Sequence, residues 1–491
     1  MKDLLLRVKR LDLDAAKKII CILNEKDARK LGVMSLDRIV IRRGNKKITA
    51  VVNTTSKFVK QGHVAIYDEL ATLMKLKTGD VVDVEPRVEL KSKKAIRKKI
   101  SGKPISFDDA REIINDITQR SLNDLEISSF ITALTIHGMS ENEAYYISRA
   151  MIERSKLMHF RGRVVDKHSI GGVCGDKTSL LFVPTIAAAG LTIPKTSSRA
   201  ITNPAGTADR MEVLAPVEKN VKEIIEIVRK ANACIIWGGS VELAPADDLF
   251  IEIERPLNQD PLLLPSVISK KKVIGSKHVV IDIPVGPEAK VKSRNQATIL
   301  GKKFRHLGKR FGMQIDYVIT DGRQPIGYAI GPALEAREAL LALKTGEPHD
   351  LIEKVADLCA KLFEMNGISN GRNRALELLS SGKSEAKLRE IIRAQGGNAR
   401  IQPHDIRISK LNRKVCSPKS GKVSHISLHH MQSIGRVAGA PADKKAGILL
   451  NKKIGDHAKR GELLYTVYAE NANKLVKAMT LAKECSGFIV K

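Results

Sequence analysis

From residue 163 to about residue 405, short apolar runs alternate with amphipathic stretches, and no other feature of this chain restricts its fold as much. ACIIWGG and HVVIDIPVG are apolar runs bounded by glycine, the pattern of strands buried on both faces. VEKNVKEIIEIVRKAN, just before the first of them, has the spacing of an amphipathic helix. Such alternation builds a layered α/β domain with a mixed, largely parallel sheet, whose ligand site lies at the carboxyl ends of the strands.

Two connections in this region share an unusual composition. DKHSIGGVCGDKTS (166–179) concentrates glycine, lysine, a histidine and hydroxyl side chains directly before the apolar run Leu180–Val183. Glycines admit close approach of backbone N–H groups, hydroxyls add neutral donors, and a following helix would aim its positive end at the same spot. The loop therefore reads as an anion site, against the plainer alternative of a turn with a charged rim. TSSRAITNPAGTADR (196–210) repeats the bias, with Arg199, Asn203 and hydroxyls but no acid before Asp209. Two such loops suit two anions, or an anion and a sugar; ordinary connections are the competing reading.

The flanks differ. In residues 1–86, ARKLGVMSLDRIVI (28–41) and ATLMKLKTGDVVDV (71–84) align as a weak repeat. Each half reads as a helix, a turn at Asp37 or Gly79–Asp80, and a strand, and two halves could interlock into a small barrel. After the basic run KSKKAIRKK (91–99), read as a solvated linker or helix face rather than a phosphate-binding arm, the pattern is helical. Ser106 with Asp109 and Ser140 with Glu143 are spaced as capping boxes. Ile127, Phe130, Ile131 and Leu134 form one helix face before Gly138, and His137 is a helix-end cation rather than a ligand. From about 410, short alternating strands and turns suggest a β-rich terminal domain.

Lysine and arginine outnumber acids 84 to 54, a net charge of +30, which suits anionic ligands. A nucleic-acid binder is the other class this charge suggests, but aromatics are only 4% and the basic residues are scattered. No apolar run reaches the roughly 18–20 residues of a membrane span, and the charged start MKDLLLRVKR argues against a signal peptide, so a cytoplasmic protein without a membrane partner is expected. The six cysteines are far apart, so no metal site is expected, and Cys174 has no marked catalytic partner.

Two further residues stand out. Asp260, before LLLP, could act as a proton donor if desolvated, or be a turn residue in its Asp-Pro pair. Lys290 closes IPVGPEAK, where it could neutralise a phosphate or be a solvated tip.

DKHSIGGVCGDKTSLL, SSRAITNPAGTADRMEVLAPVE, PSVISKKK and VVIDIPVG together resemble the thymidine/pyrimidine nucleoside phosphorylase family, and most closely its archaeal branch acting on nucleoside 5′-monophosphates. The resemblance covers nearly the whole chain. It implies four domains: a barrel-like one at 1–86, a discontinuous helical one at 87–160 plus 245–272, an α/β one at 161–244 plus 273–409, and a β-rich one at 410–491. It implies orthophosphate held by Lys167, Ser169, Ser179 and Thr207, with His168 close to the substrate. The nucleotide would be held by Gly172, Ser198, Arg199, Ala200, Ile201, Thr202, Asn203, Thr207, Ser266 and Lys290, with Asp260 as proton donor.

The implied reaction is AMP plus phosphate giving adenine and ribose 1,5-bisphosphate, with CMP and UMP as further substrates, no cofactor, and a homodimer or larger homo-oligomer. A pyrimidine nucleoside phosphorylase, lacking a 5′-phosphate site, is the alternative enzyme.

Overall fold

The computed structural model describes residues 4–87, 90–200, 203–241, 244–257 and 259–491. The chain divides into two compact units, residues 1–154 with 244–266, and residues 155–243 with 267–491.

The first unit opens with strands β1 (Leu4–Arg10), β2 (Ile20–Asn24), β3 (Arg38–Arg43), β4 (Lys46–Thr55), β5 (His63–Ile66) and β6 (Val81–Pro86), with helices α1 (Glu25–Leu31) and α2 (Asp68–Met74). The strands close into a barrel in the order β1-β5-β2-β4-β3-β6. The repeat is physical. Asp37 accepts the Met34 N–H at 2.8 Å, and Asp80 accepts the Lys77 N–H at 2.7 Å. One carboxylate thus pins the same turn in each half, and alternate side chains of the strands fill one apolar core.

Helices α3 (Lys91–Ile100), α4 (Phe107–Thr118), α5 (Asp124–His137) and α6 (Glu141–Glu153) follow, and α10 (Pro245–Leu257) joins them. Both expected capping boxes are present, and Ile127, Phe130, Ile131 and Leu134 are buried. The basic run is a packed helix rather than a linker. Ala95 and Ile96 enter the core, and the buried Lys99 ammonium lies 2.7 Å from Glu143. Arg38 of the barrel, also buried, donates to Ser121 O and Glu126.

The second unit holds β7 (Val165–Ser169), α7 (Thr178–Ala188), β8 (Ile193–Ser197), α8 (Thr207–Glu212), α9 (Val221–Ala231), β9 (Ala233–Trp237), the end of α11 (Leu263–Val273), β10 (His278–Val285), α12 (Arg294–Arg310) and β11 (Gln314–Asp321). β11, β10 and β7 pair in parallel, as do β8 and β9, and a parallel bridge from Val164 to Thr192 joins the two groups. The spatial order is β11-β10-β7-β8-β9. The chain starts in the middle at β7, builds outward to β9, and returns to build outward from β10. Strand order therefore reverses between β7 and β10, the switch point where open α/β sheets form a ligand crevice.

Beyond it come β12 (Ala329–Ile330), α13 (Pro332–Thr345), α14 (His349–Met365), α15 (Gly371–Ser380) and α16 (Lys383–Ala394). The terminal part contains β13 (Asn412–Cys416), β14 (Gly421–Ile426), α17 (Leu428–Val437), β15 (Gly447–Leu450), β16 (His457–Ala458), β17 (Leu463–Tyr468), α18 (Ala472–Glu484) and β18 (Phe488–Val490). Its antiparallel strands form the sheets β12-β15-β17-β13 and β16-β14-β18, and one apolar core runs through the whole second unit. Among the described residues, no helix is long and apolar enough to cross a membrane.

Candidate active site

The glycine-rich loop leaves β7 at the switch point and enters α7. Gly171, Gly172 and Gly175 all have positive φ, and at Gly172 the need is also steric: a Cβ there would lie 2.7 Å from the backbone N of Lys290. The loops after β7 and β10 are thus packed backbone to backbone. Ser179, buried, sits in the first turn of α7, where the helix dipole favours an anion and Asp176 already accepts the Thr178 N–H at 3.2 Å.

Under the loop lies a network of buried charge. Asp166, fully buried in β7, accepts the Lys167 N–H at 2.7 Å and the Lys271 ammonium at 2.6 Å, with the Lys195 ammonium at 3.7 Å. Asp282, fully buried in β10, lies 3.8 Å from the Lys167 ammonium and 2.9 Å from that of Lys354, and accepts the Thr320 hydroxyl at 2.7 Å. Lys354 also approaches Asp176 at 4.0 Å. Burial works against each charge, but Lys354 and Lys167 hold the Asp176 carboxyl well below the usual range, and Asp176 and Asp282 raise Lys354.

The balance is uneven: Lys167, Lys195, Lys271 and Lys354 are four ammonium groups, and Asp166, Asp176 and Asp282 are three carboxylates, a surplus of one positive charge. The surplus falls on Lys195, which burial and the ammonium groups of Lys271 and Lys167 push down to about 7 despite Asp166. Burial and lysines 271, 195, 270 and 167 also keep His168 neutral, well below its ordinary value. A carboxylate inside an apolar strand, as in VVIDIPVG, was the readable signal for this network, because a buried charge requires a partner. The sequence reading used Lys167 but not Asp166, Asp282, Lys195, Lys271 or Lys354.

Lys177 holds the far side of the loop. Its ammonium, fully buried, donates to Ile326 O at 2.7 Å, to Ala329 O at 3.2 Å and to Glu338. Glu338 also accepts the Tyr328 N–H at 2.9 Å and the Ala329 N–H at 3.1 Å. Cys174 is fully buried and its thiol is pushed up to about 12, so it is an inert core residue.

The second loop is organised by Asp209, which accepts the N–H groups of Ala200 (2.7 Å) and Gly206 (2.8 Å). A Cβ on Gly206 would lie 2.6 Å from Ala200 N, so this crossing admits only glycine. Arg199 was expected to present donors to an anion. Instead its guanidinium grips Glu212 through two bonds of 2.7 and 2.8 Å, reaches Glu218 at 2.9 Å and Asp209 at 3.4 Å, and lies over Trp237. Ser198 is exposed, while Asn203 and Thr207 are half-buried, with the Asn203 amide near Val173 O at 3.5 Å. Ile201 and Thr202 lie outside the described residues.

The second unit thus brings together Lys167, His168, Ser169, Gly172, Ser179, Ser198–Ala200, Asn203, Thr207 and Lys290, whose side chain is exposed. Asp260 and Ser266 belong to the first unit. Of the two readings left open for Asp260, the structure shows the turn of its Asp-Pro pair: its side chain is exposed just before α11, while Leu262 and Pro265 are buried.

Family models match three regions. Residues 161–385 match the a/b domain and residues 93–155 the helical bundle domain of a glycosyl transferase family, and residues 423–488 match the pyrimidine nucleoside phosphorylase C-terminal domain. The chain is 44% identical to an AMP phosphorylase of Thermofilum pendens over 92% of its own length and 89% of the relative. It is 45% identical to AMP phosphorylase 1 of Archaeoglobus fulgidus (94% and 92% covered) and 43% identical to an AMP phosphorylase of Thermococcus kodakarensis (97% and 96%). Among solved structures, anthranilate phosphoribosyltransferase from Thermus thermophilus shares the fold, with a TM-score of 0.52 at 19% identity, over 61% of this chain and 99% of that one.

Proposed function

The chain belongs to the AMP phosphorylase family, and from that premise we propose that it transfers ribose 5-phosphate from AMP to orthophosphate, giving adenine and ribose 1,5-bisphosphate. The observation that carries this reading is the buried surplus of positive charge beneath a glycine loop at the sheet's switch point. A bound phosphate places negative charge against that surplus.

In this reading Lys167, Ser169, Ser179 and Thr207 hold orthophosphate, and neutral His168 stands beside the ribose. The phosphate oxygen bonds to the anomeric carbon as the glycosidic bond breaks, and Asp260 delivers a proton to the departing base. Positioning the nucleophile in line removes several kcal/mol of barrier. Gly172, Ser198, Ala200, Ile201, Thr202, Asn203, Ser266 and Lys290 hold the nucleotide. Arg199 braces their loop rather than touching the 5′-phosphate. Arg199→Ala is therefore expected to lower kcat/KM for AMP and adenosine by similar factors; a loss confined to AMP would return it to the 5′-phosphate. We also place the protein in the cytoplasm, as a homodimer or larger homo-oligomer in nucleotide catabolism, to be sized by light scattering.

The test is base release from AMP, CMP, UMP, adenosine and thymidine, with and without orthophosphate. Release from AMP that requires orthophosphate is expected. Equal release without it would mean hydrolysis, and adenosine cleaved as well as AMP would mean a nucleoside phosphorylase.

Proton linkage adds a second expectation. An anion beside Lys195 favours its charged form, so affinity should be highest below about pH 7 and fall above it, by at most about tenfold per pH unit. Sulfate, which keeps its charge throughout this range, is the probe. Its inhibition constant against orthophosphate should rise from about pH 6 to about pH 9. A flat profile would separate Lys195 from the anion.

A further inference from the structure

The turn that follows β10 is held by the β-rich terminal part of the chain. Glu288 lies two residues before Lys290. One of its carboxylate oxygens lies 2.9 Å from Nε2 of His425, at the end of β14. The other accepts the Ser427 hydroxyl and the His429 N–H, both at 2.9 Å. Ser427 is the N-cap of α17, so Glu288 sits at the positive end of that helix, where an anion is favoured. The turn is also closed on itself, through Ala289 N to Gly286 O at 3.2 Å and Gly286 N to Val291 O at 3.2 Å. A grip on Glu288 is therefore a grip on the backbone that carries Lys290.

The same helix reaches the other two loops. Gln432, one turn along α17, points its amide at Gly172 O at 3.5 Å. At Gly435 the helix runs so close to Pro204, next to Asn203, that a Cβ would lie 2.9 Å from its ring. Gly172, the Asn203–Pro204 step and the Lys290 turn thus converge on one helix. The sequence pattern suggests short alternating strands here, and the structure has this helix instead.

We propose that α17 is the common support of the nucleotide site, and that Glu288 and Gln432 are positioning residues acting through Lys290 and Gly172. The inference rests on the reading that Lys290 and Gly172 hold the nucleotide. Because the turn that Glu288 holds carries Lys290 and none of Lys167, Ser169, Ser179 and Thr207, losing that hold should affect the nucleotide selectively.

The experiment compares Glu288→Ala, Glu288→Gln and Gln432→Ala in the full-length protein, with KM measured separately for AMP and orthophosphate. Glu288→Ala should raise KM for AMP about tenfold while leaving kcat and KM for orthophosphate nearly unchanged. Glu288→Gln should recover most of the loss, since the amide oxygen can accept from Ser427 and His429 while its NH2 group faces the His425 ring. Gln432→Ala, which removes no fold-stabilising charge, should raise KM for AMP about threefold. Adding Glu288→Ala to Lys290→Ala should cost little more than Lys290→Ala alone, because both act through one side chain. Unchanged KM for AMP in both alanine variants, equal losses for both substrates, or full additivity with Lys290→Ala would overturn the proposal while leaving the activity in place. An unmutated protein that does not cleave AMP would overturn the proposed function, and this inference with it.

Discussion

Asp260→Asn is expected to lower kcat for AMP by about 10²–10⁴ while leaving KM within a few-fold, the loss typical of removing a general acid. Adenine expelled without a proton is a poor leaving anion, and the amide keeps the size of the carboxyl group but has no acidic proton to give. The defect should shrink for nucleotides whose bases leave readily as anions, because such substrates need less protonation. This second measurement separates proton donation from damage to the site, which would slow all nucleotides alike. Asp260 is exposed, just before α11. The substitution therefore removes no core packing. Near-normal turnover would exclude Asp260 from the chemistry.

Lys177→Met is expected to cost about 3–5 kcal/mol of stability, the usual result of removing one partner from a buried ion pair. Methionine replaces the apolar stem but not the ammonium, so Glu338 and the carbonyls of Ile326 and Ala329 lose their shared donor. Tm should fall by about 5–15 °C. Combining Lys177→Met with Glu338→Gln should restore a substantial part, since no lone carboxylate then remains and the amide can still accept from Tyr328 N or Ala329 N. An unchanged Tm in the single variant would mean that water already screens the pair.

Features set by neighbours in sequence were legible before the structure. The capping boxes at Ser106 and Ser140 need partners only three residues away, and the repeat around Asp37 and Asp80 is a local turn. The donor-rich loops announced themselves by composition. Long-range partners did not. Lys271 reaches Asp166 across 105 positions, and neither residue marks the other in the sequence. Arg199 read as a free donor because its two glutamates, Glu212 and Glu218, lie past the loop in α8 and in the segment after it. Asp260 was legible either as a desolvated acid or as the turn residue of its Asp-Pro pair, and the chain does turn at Pro261, burying Leu262 and leaving Asp260 exposed.

The barrel's pairing has a consequence for how it is completed. Its two halves correspond element by element, β1-β2-α1-β3 and β4-β5-α2-β6, with α1 starting at residue 25 and α2 at 68. Every ladder joins one half to the other: β1 with β5 and β6, β2 with β4 and β5, β3 with β4 and β6. No strand pairs within its own half. Either half alone would leave its strand edges without their native partners. The chain must therefore make β5 and β6 before β1 can meet either of its native partners.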